Sequence, residues 1–190
     1  ILQSHAKARK AVDGAVLHAV CDRSIGRARA AADQFEIPNV FGSLDEIARS
    51  DCDAVHILLP PALHIDAASR MIEAGKHTFL EKPMGLGSEA CRALTDQAAT
   101  RGVMLGVNHN FLFMRGYQPL REAIRTHALG AVDHLTVDWL YPLPLIPFGP
   151  FDNWILGAPE NLVFELGPHL AAFVIDLLGP VEVNAGFAGS

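Results

Sequence analysis

Three groups of side chains in this sequence have the types and spacing for chemistry. Glu165 and His169 lie four residues apart in Glu165-Leu166-Gly167-Pro168-His169, which on a helix puts them on one face, where the carboxylate can orient the imidazole and favour its charged form. An imidazole held that way is a proton acceptor suited to alcohol oxidation near neutral pH. Lys82 ends the run Thr78-Phe79-Leu80-Glu81-Lys82-Pro83, so a strand would deliver it to a carboxyl end, where open α/β sheets bind ligands. There its ammonium can hydrogen-bond a substrate hydroxyl, and a cis bond to Pro83 is one way of aiming it. Asp22 follows the apolar Ala19-Val20-Cys21. A carboxylate at the tip of a second strand accepts hydrogen bonds from ribose hydroxyls, about 20 residues after a glycine-rich turn. Arg23 beside it covers an adenine, meets a 2′-phosphate or is simply solvated. Taken singly, each group also has a plainer reading: a helix-start carboxylate with a core histidine, a surface lysine, and an aspartate in a strand-ending turn.

The elements that position these residues are written in the periodicity. Short β-branched runs alternate with helical stretches, the pattern of a parallel sheet wrapped by helices. The pattern predicts strands near Val16–Cys21, Asn39–Phe41, Ala54–Leu59, Thr78–Glu81 and Val103–Val107, with helices near Ser4–Ala11, Ser24–Phe35, Leu44–Arg49, Ile65–Ala74 and Glu89–Thr100. Ser43 with Glu46 reads as a capping box, and Gly14, Gly75 and Gly102 as left-handed residues closing helical stretches. Beyond Val107 the pattern changes to a helix near Gly116–Thr126, a long strand near Val132–Tyr141, a Pro- and aromatic-rich loop through residue 161, a helix near Glu165–Leu178 and a strand near Val181–Phe187. A domain of residues 1–107 and the first part of a second, residues 108–190, are therefore expected. A first strand and its glycine-rich turn are expected before Ile1, since such a domain normally opens on a strand.

Of the 190 residues, 50% are hydrophobic and 19% charged, the balance of a globular chain with a large interior. The net charge of −6 with no basic run gives no footprint for nucleic acid or anionic lipid, and no apolar run reaches membrane-spanning length. The expected partner is a small molecule. Cys21, Cys52 and Cys91 are odd in number and lack metal-ligand spacing, which favours reduced thiols in a cytoplasmic setting and no metal site.

Together these segments resemble the Gfo/Idh/MocA oxidoreductases over nearly the whole chain. Ile1-Leu2-Gln3-Ser4-His5-Ala6 is similar to the end of the family's glycine-rich turn, Ala19 to Arg23 to its second strand, and Leu59-Pro60-Pro61-Ala62-Leu63-His64 to its nicotinamide-side loop. Gly75-Lys76-His77 through Glu81-Lys82-Pro83 resembles its signature lysine segment, Gly106-Val107-Asn108-His109-Asn110 its domain crossing, and Glu165-x-Gly167-x-His169 its catalytic helix. The resemblance implies a Rossmann dinucleotide-binding domain followed by an α+β domain with a mainly antiparallel sheet that commonly makes a homo-oligomer interface. It implies bound NAD or NADP, with Asp22 tilting towards NAD, and cofactor contacts from Asp22, Arg23, Leu59, Pro60, His64, Glu81, Lys82 and Asn110. It further implies that Lys82 and His169 flank a substrate hydroxyl or carbonyl, with Glu165 orienting His169.

The expected activity is hydride transfer between NAD(P) and a secondary alcohol of a sugar, polyol or related cyclic compound. Asn153 and Trp154, in the long loop, would meet the sugar through hydroxyl contact and ring stacking, although Trp154 equally suits packing of the loop on its own domain. Glu165 stands in place of a common Asp, which lengthens by one methylene the carboxylate that would orient His169, and Leu112 in place of a common Arg, which removes a polar contact and points to a different substrate or a more apolar pocket. Two other functions fit the same residues: a glycosidase that uses tightly held NAD transiently, and a non-catalytic dinucleotide sensor.

Overall fold

The computed structural model describes residues 1–9, 11–138, 140 and 156–182. Residues 1–108 make one compact unit and residues 109–190 another. The first unit runs α1 (Leu2–Arg9), β1 (Ala19–Cys21), α2 (Ile25–Phe35), β2 (Asn39–Phe41), α3 (Leu44–Arg49), β3 (Ala54–Ile57), a 3-10 turn (Pro61–Leu63), α4 (His64–Glu73), β4 (His77–Leu80), α5 (Ser88–Arg101) and β5 (Leu105–Val107). In the second lie a 3-10 turn (Asn110–Phe113), α6 (Tyr117–Arg125) and α7 (Pro159–Leu178).

All strand pairing among the described residues is parallel, which requires a crossover between neighbours. The strands form two ribbons, β1-β2 and β3-β4-β5. Val20 faces Val40 in the first; His56 faces Phe79, and Phe79 faces Gly106, in the second. This is the Rossmann-like alternation expected of the first unit. Gly106 has a packing reason to be glycine, since a Cβ there would stand 2.9 Å from the Phe79 ring.

The core gathers on α4. Ala67, Ala68 and Ile72 are wholly buried with Leu80, beside Ile57 on β3 and Leu94 and Ala98 on α5. Two adjacent alanines let α4 sit close to the strands, and burying each Ile or Leu stabilises the fold by about 1.5–3 kcal/mol. Helix ends follow local rules. Ser43 Oγ accepts from Glu46 N at 3.3 Å, while Glu46 Oε2 accepts from the amide of Gly42 at 2.6 Å, one residue before the usual capping-box partner. Gly75 and Gly102 close α4 and α5 with φ of 76° and 67°; Gly14, φ 78°, instead belongs to a turn beyond α1, which ends at Arg9.

In the second unit α6 and α7 are joined by polar contacts. Tyr117 Oη donates to Asp176 at 2.6 Å, Arg121 pairs with the same carboxylate at 2.8 Å, and the Tyr117 and Phe173 rings lie 4.8 Å apart. Burial first, then the bond to Asp176, raises the Tyr117 phenol well above its ordinary value.

Three sequence expectations change. The predicted strand near Val132–Tyr141 is absent over residues 132–138, which carry no ladder among the described residues; a β-rich run without a neighbouring strand cannot complete its hydrogen bonds. The antiparallel sheet is accordingly not seen, and residues 183–187 of the last predicted strand lie outside the described residues. Third, α7 begins at Pro159 rather than Glu165. Pro159 suits the first turn, where its missing amide has no partner to lose, and the helix carries Pro168 in its interior, where it has no amide to donate to the Phe164 carbonyl.

Candidate functional site

Parallel strands of one sheet deliver their following residues to one edge: Glu81 and Asn108 come directly after β4 and β5 of one ribbon, and Asp22 directly after β1 of the other. The edge is set by main-chain bonds: Glu81 N donates to Ile57 O at 3.1 Å and Asn108 N to Leu80 O at 2.8 Å. Asp22 N donates to Phe41 O at 3.2 Å on the other ribbon.

The Asp22 side chain is 35% exposed and held locally. Its Oδ1 accepts from Ser24 N at 2.7 Å and from Arg27 at 3.0 Å, and Oδ2 makes no hydrogen bond among the described residues. The Ser24 amide first, then the Arg27 guanidinium, lowers its carboxyl below the ordinary value. A carboxylate kept ionised, with one oxygen open, suits two ribose hydroxyls. Arg23 is exposed.

Glu81 is held from several directions. Its side chain is 13% exposed, and Oε1 accepts from Asn108 Nδ2 at 2.7 Å and from His5 Nε2 at 2.8 Å. His5 Nδ1 in turn lies 3.1 Å from His56 Nδ1, with the two rings edge to face and His56 leaning on Phe79. Burial pushes the Glu81 carboxyl up, but the bonds from Asn108, His5 and the Lys82 amide outweigh it and hold it below the usual range. Desolvation, then the charge on His5, lowers His56. The sequence reading singled out Glu81 but not this network. A histidine inside the apolar run Ala54-Val55-His56-Ile57 was the available signal.

Lys82 follows Glu81, is half-buried, and enters a cis peptide bond with Pro83. Leu59 and Pro60, in the loop after β3, are exposed. His64, at the start of α4, is wholly buried: Nδ1 lies 2.7 Å from Pro83 O and Nε2 2.7 Å from Leu59 O. Both ring nitrogens thus face main-chain carbonyls of the same unit. The first unit thus brings together Glu81, Lys82, Pro83 and the 59–60 loop through His64, while Asp22 stands on the other ribbon.

In the second unit Asn110 is exposed on its 3-10 turn. His169 is 6% exposed on α7 and meets the Phe111 ring edge to face with centroids 4.4 Å apart. Glu165 lies one turn earlier and is half-buried. The backbone of Leu112 accepts a hydrogen bond from Gln118. Asn153 and Trp154 lie outside the described residues. No cluster of metal-ligating side chains occurs among the described residues, and no helix among them is long and apolar enough to cross a membrane.

Residues 1–109 match the model of the GFO_IDH_MocA oxidoreductase family, NAD-binding Rossmann fold. The chain is 37% identical over 124 residues to a dTDP-3,4-didehydro-2,6-dideoxy-alpha-D-glucose 3-reductase of Streptomyces violaceoruber, covering 65% of this chain and 36% of that protein. It is 27% identical over 173 residues to the D-glucoside 3-dehydrogenase of Escherichia coli, covering 89% and 49%. The crystal structure of a putative myo-inositol dehydrogenase from Sinorhizobium meliloti superposes with a TM-score of 0.73 at 26% identity, over 93% of this chain and 52% of that one. The chain therefore spans about half or less of these relatives, and over its matched residues it belongs to the GFO_IDH_MocA family of oxidoreductases with an NAD-binding Rossmann fold.

Proposed function

We propose that this chain carries the cofactor site and catalytic residues of an oxidoreductase that moves a hydride between NAD(P) and a secondary alcohol of a sugar, polyol or related cyclic compound. The observation that carries this reading is the set of side chains following the parallel strands of the first unit's two ribbons. It presents an ionised Asp22 carboxylate with an open oxygen and, after β4, the Glu81-Lys82-Pro83 turn held by Asn108, His5 and His64. Two of the relatives above are named for sugar derivatives and the third for an inositol, and these names supply the substrate class.

The residues present fit a dinucleotide. Asp22 would take the adenosine ribose hydroxyls, with Arg23 alongside, and Leu59 and Pro60 would line the nicotinamide side. When bound, the nicotinamide accepts or supplies the hydride. Lys82 donates a hydrogen bond to the substrate oxygen and holds the charge that develops there. His169 takes the hydroxyl proton during oxidation, oriented by Glu165. Asn110 belongs to the cofactor side, and Asn153 and Trp154 to the substrate side. We assign residues 1–107 to the dinucleotide-binding domain and 108–190 to part of the substrate and oligomerisation domain.

The test is separate titration of NADH and NADPH into the full-length protein by nicotinamide fluorescence, with Asp22→Ala alongside. Binding that weakens about 10-fold or more in the variant, as loss of a hydrogen-bonded charge would give, supports the site and identifies the preferred cofactor. A folded, cofactor-free protein that binds neither overturns the reading.

A further inference from the structure

His64 joins two loops that the sequence separates. Its Nε2 reaches the carbonyl of Leu59, in the loop leaving β3, and its Nδ1 reaches the carbonyl of Pro83, in the turn leaving β4; both distances are 2.7 Å and the residue is 0% exposed. The first contact spans 5 residues and the second 19. A carbonyl oxygen only accepts, so the ring grips one carbonyl when one nitrogen carries a proton and both when each does. In a buried site such bonds resist exchange with water, because a carbonyl that loses its donor is left unsatisfied.

The placement gives the clamp a consequence. Pro83 immediately follows Lys82, and Leu59 belongs to the only stretch between β3 and the 3-10 turn at Pro61–Leu63. One rigid ring standing between the two carbonyls, 2.7 Å from each and donating to at least one, sets the spacing between the Lys82 turn and the Leu59-Pro60 loop. The rest of the turn is braced from the other side: Glu81 is tied to Asn108 and His5, and Gly85 lets the chain pass where a Cβ would stand 2.8 Å from the Ile65 side chain of α4. Lys82 itself is half-buried between these two fixed points.

We propose that His64 is a positioning residue for Lys82: it touches neither substrate nor cofactor, and by standing between the Leu59 and Pro83 carbonyls and donating to at least one it fixes where the lysine ammonium stands against the nicotinamide side of the site. This rests on the reading of Lys82 as a cofactor-side residue given above. A misplacement of about 1 Å in such a group is enough to cost roughly 100-fold in turnover.

The test reads Lys82 directly. Lysines of the full-length protein are reductively methylated with 13C-formaldehyde, the Lys82 resonance is assigned with Lys82→Arg, and NADH is added to the unsubstituted protein, to His64→Leu and to His64→Gln. We expect NADH to move the Lys82 resonance in the unsubstituted protein. In His64→Leu that movement is lost although NADH affinity stays within about threefold, and His64→Gln, which keeps one donor, lies between. Bound NADH that leaves Lys82 unmoved in the unsubstituted protein overturns the cofactor-side reading of Lys82, and the clamp's purpose with it. An NADH-induced movement that is the same in all three overturns the clamp alone. Should neither variant fold, the crystal structure of the unsubstituted protein with NADH decides: His64 bonded to both carbonyls, with Lys82 beside the nicotinamide, supports the proposal, and either carbonyl beyond about 3.5 Å from the ring overturns it.

Discussion

Asp22 and Glu81 each follow the last residue of a parallel strand in the same unit, yet they are held in opposite ways. Asp22 takes its bonds from residues two and five further along the chain, and its side chain is 35% exposed. Glu81 takes its bonds from residues 27 and 76 away, and its side chain is 13% exposed. The first carboxylate is a local turn with an open oxygen, ready for a ligand. The second is a junction between α1, β4 and the end of β5, and its chemistry is bound up with the stability of the unit.

The difference predicts a large asymmetry between two alanine substitutions. Glu81→Ala strands the Asn108 amide and the His5 ring in a mostly buried place, at a cost of about 2–3 kcal/mol. Asp22→Ala removes exposed local bonds and should cost less than about 1 kcal/mol, while weakening dinucleotide binding. Urea unfolding of both variants measures this, and equal losses of stability would break the comparison.

Acid should weaken the first unit through Glu81. Its carboxyl is depressed below 4.5 in the folded chain, so the unfolded chain takes up the proton first. The stability it contributes is complete above about pH 4.5 and is lost as pH falls through the lower folded value. Glu81→Gln should flatten this acid limb in a series of thermal melts from neutral pH downwards. A limb of unchanged slope in that variant would show that other carboxylates govern it.

That division also explains what the sequence made legible. The helices and parallel strands of the first unit follow from period and end signals, and α3 matches its predicted limits of Leu44–Arg49 because Ser43 and Glu46 act within one turn. Asp22 was legible for the same reason: its meaning lies in its place after a short apolar strand. The His5–Glu81–Asn108 network was not, because it depends on residues brought together only by the sheet. His64 shows the middle case. Its closeness to the 59–60 loop was visible, but burial of the ring between the Leu59 and Pro83 carbonyls depends on how α4 packs. In the second unit the run 132–138 reads as a strand by composition, yet a strand is defined by a partner, and none pairs with it among the described residues.

A buried, non-local bond in the second unit should fall between the extremes. Tyr117→Phe deletes the bond to Asp176, 59 residues away, while Arg121 still pairs with the carboxylate. Because the acceptor keeps a partner, the loss should be nearer 1.5 than 3 kcal/mol, read as a lower midpoint in urea. A loss matching that of Glu81→Ala would mean that Arg121 does not compensate and that the α6–α7 contact rests on the phenol.

The smallest effect should come from the most legible device. Ser43 Oγ accepts from Glu46 N at 3.3 Å, a long bond in an exposed place, and the reciprocal bond from the Gly42 amide to Glu46 Oε2 survives when the serine is removed. Ser43→Ala should therefore cost about 0.5–1 kcal/mol, and Ser43→Gly only about a few tenths, since glycine exposes the helix end to water instead. Water can replace the hydroxyl at Ser43 because the helix end is open; it cannot readily do so at Glu81, where the donors face inward from α1 and from the end of β5. Unfolding free energies for Ser43→Ala and Glu81→Ala, measured together, thus test whether access to water, rather than the number of bonds lost, sets the cost. A Ser43→Ala loss as large as that of Glu81→Ala would refute it.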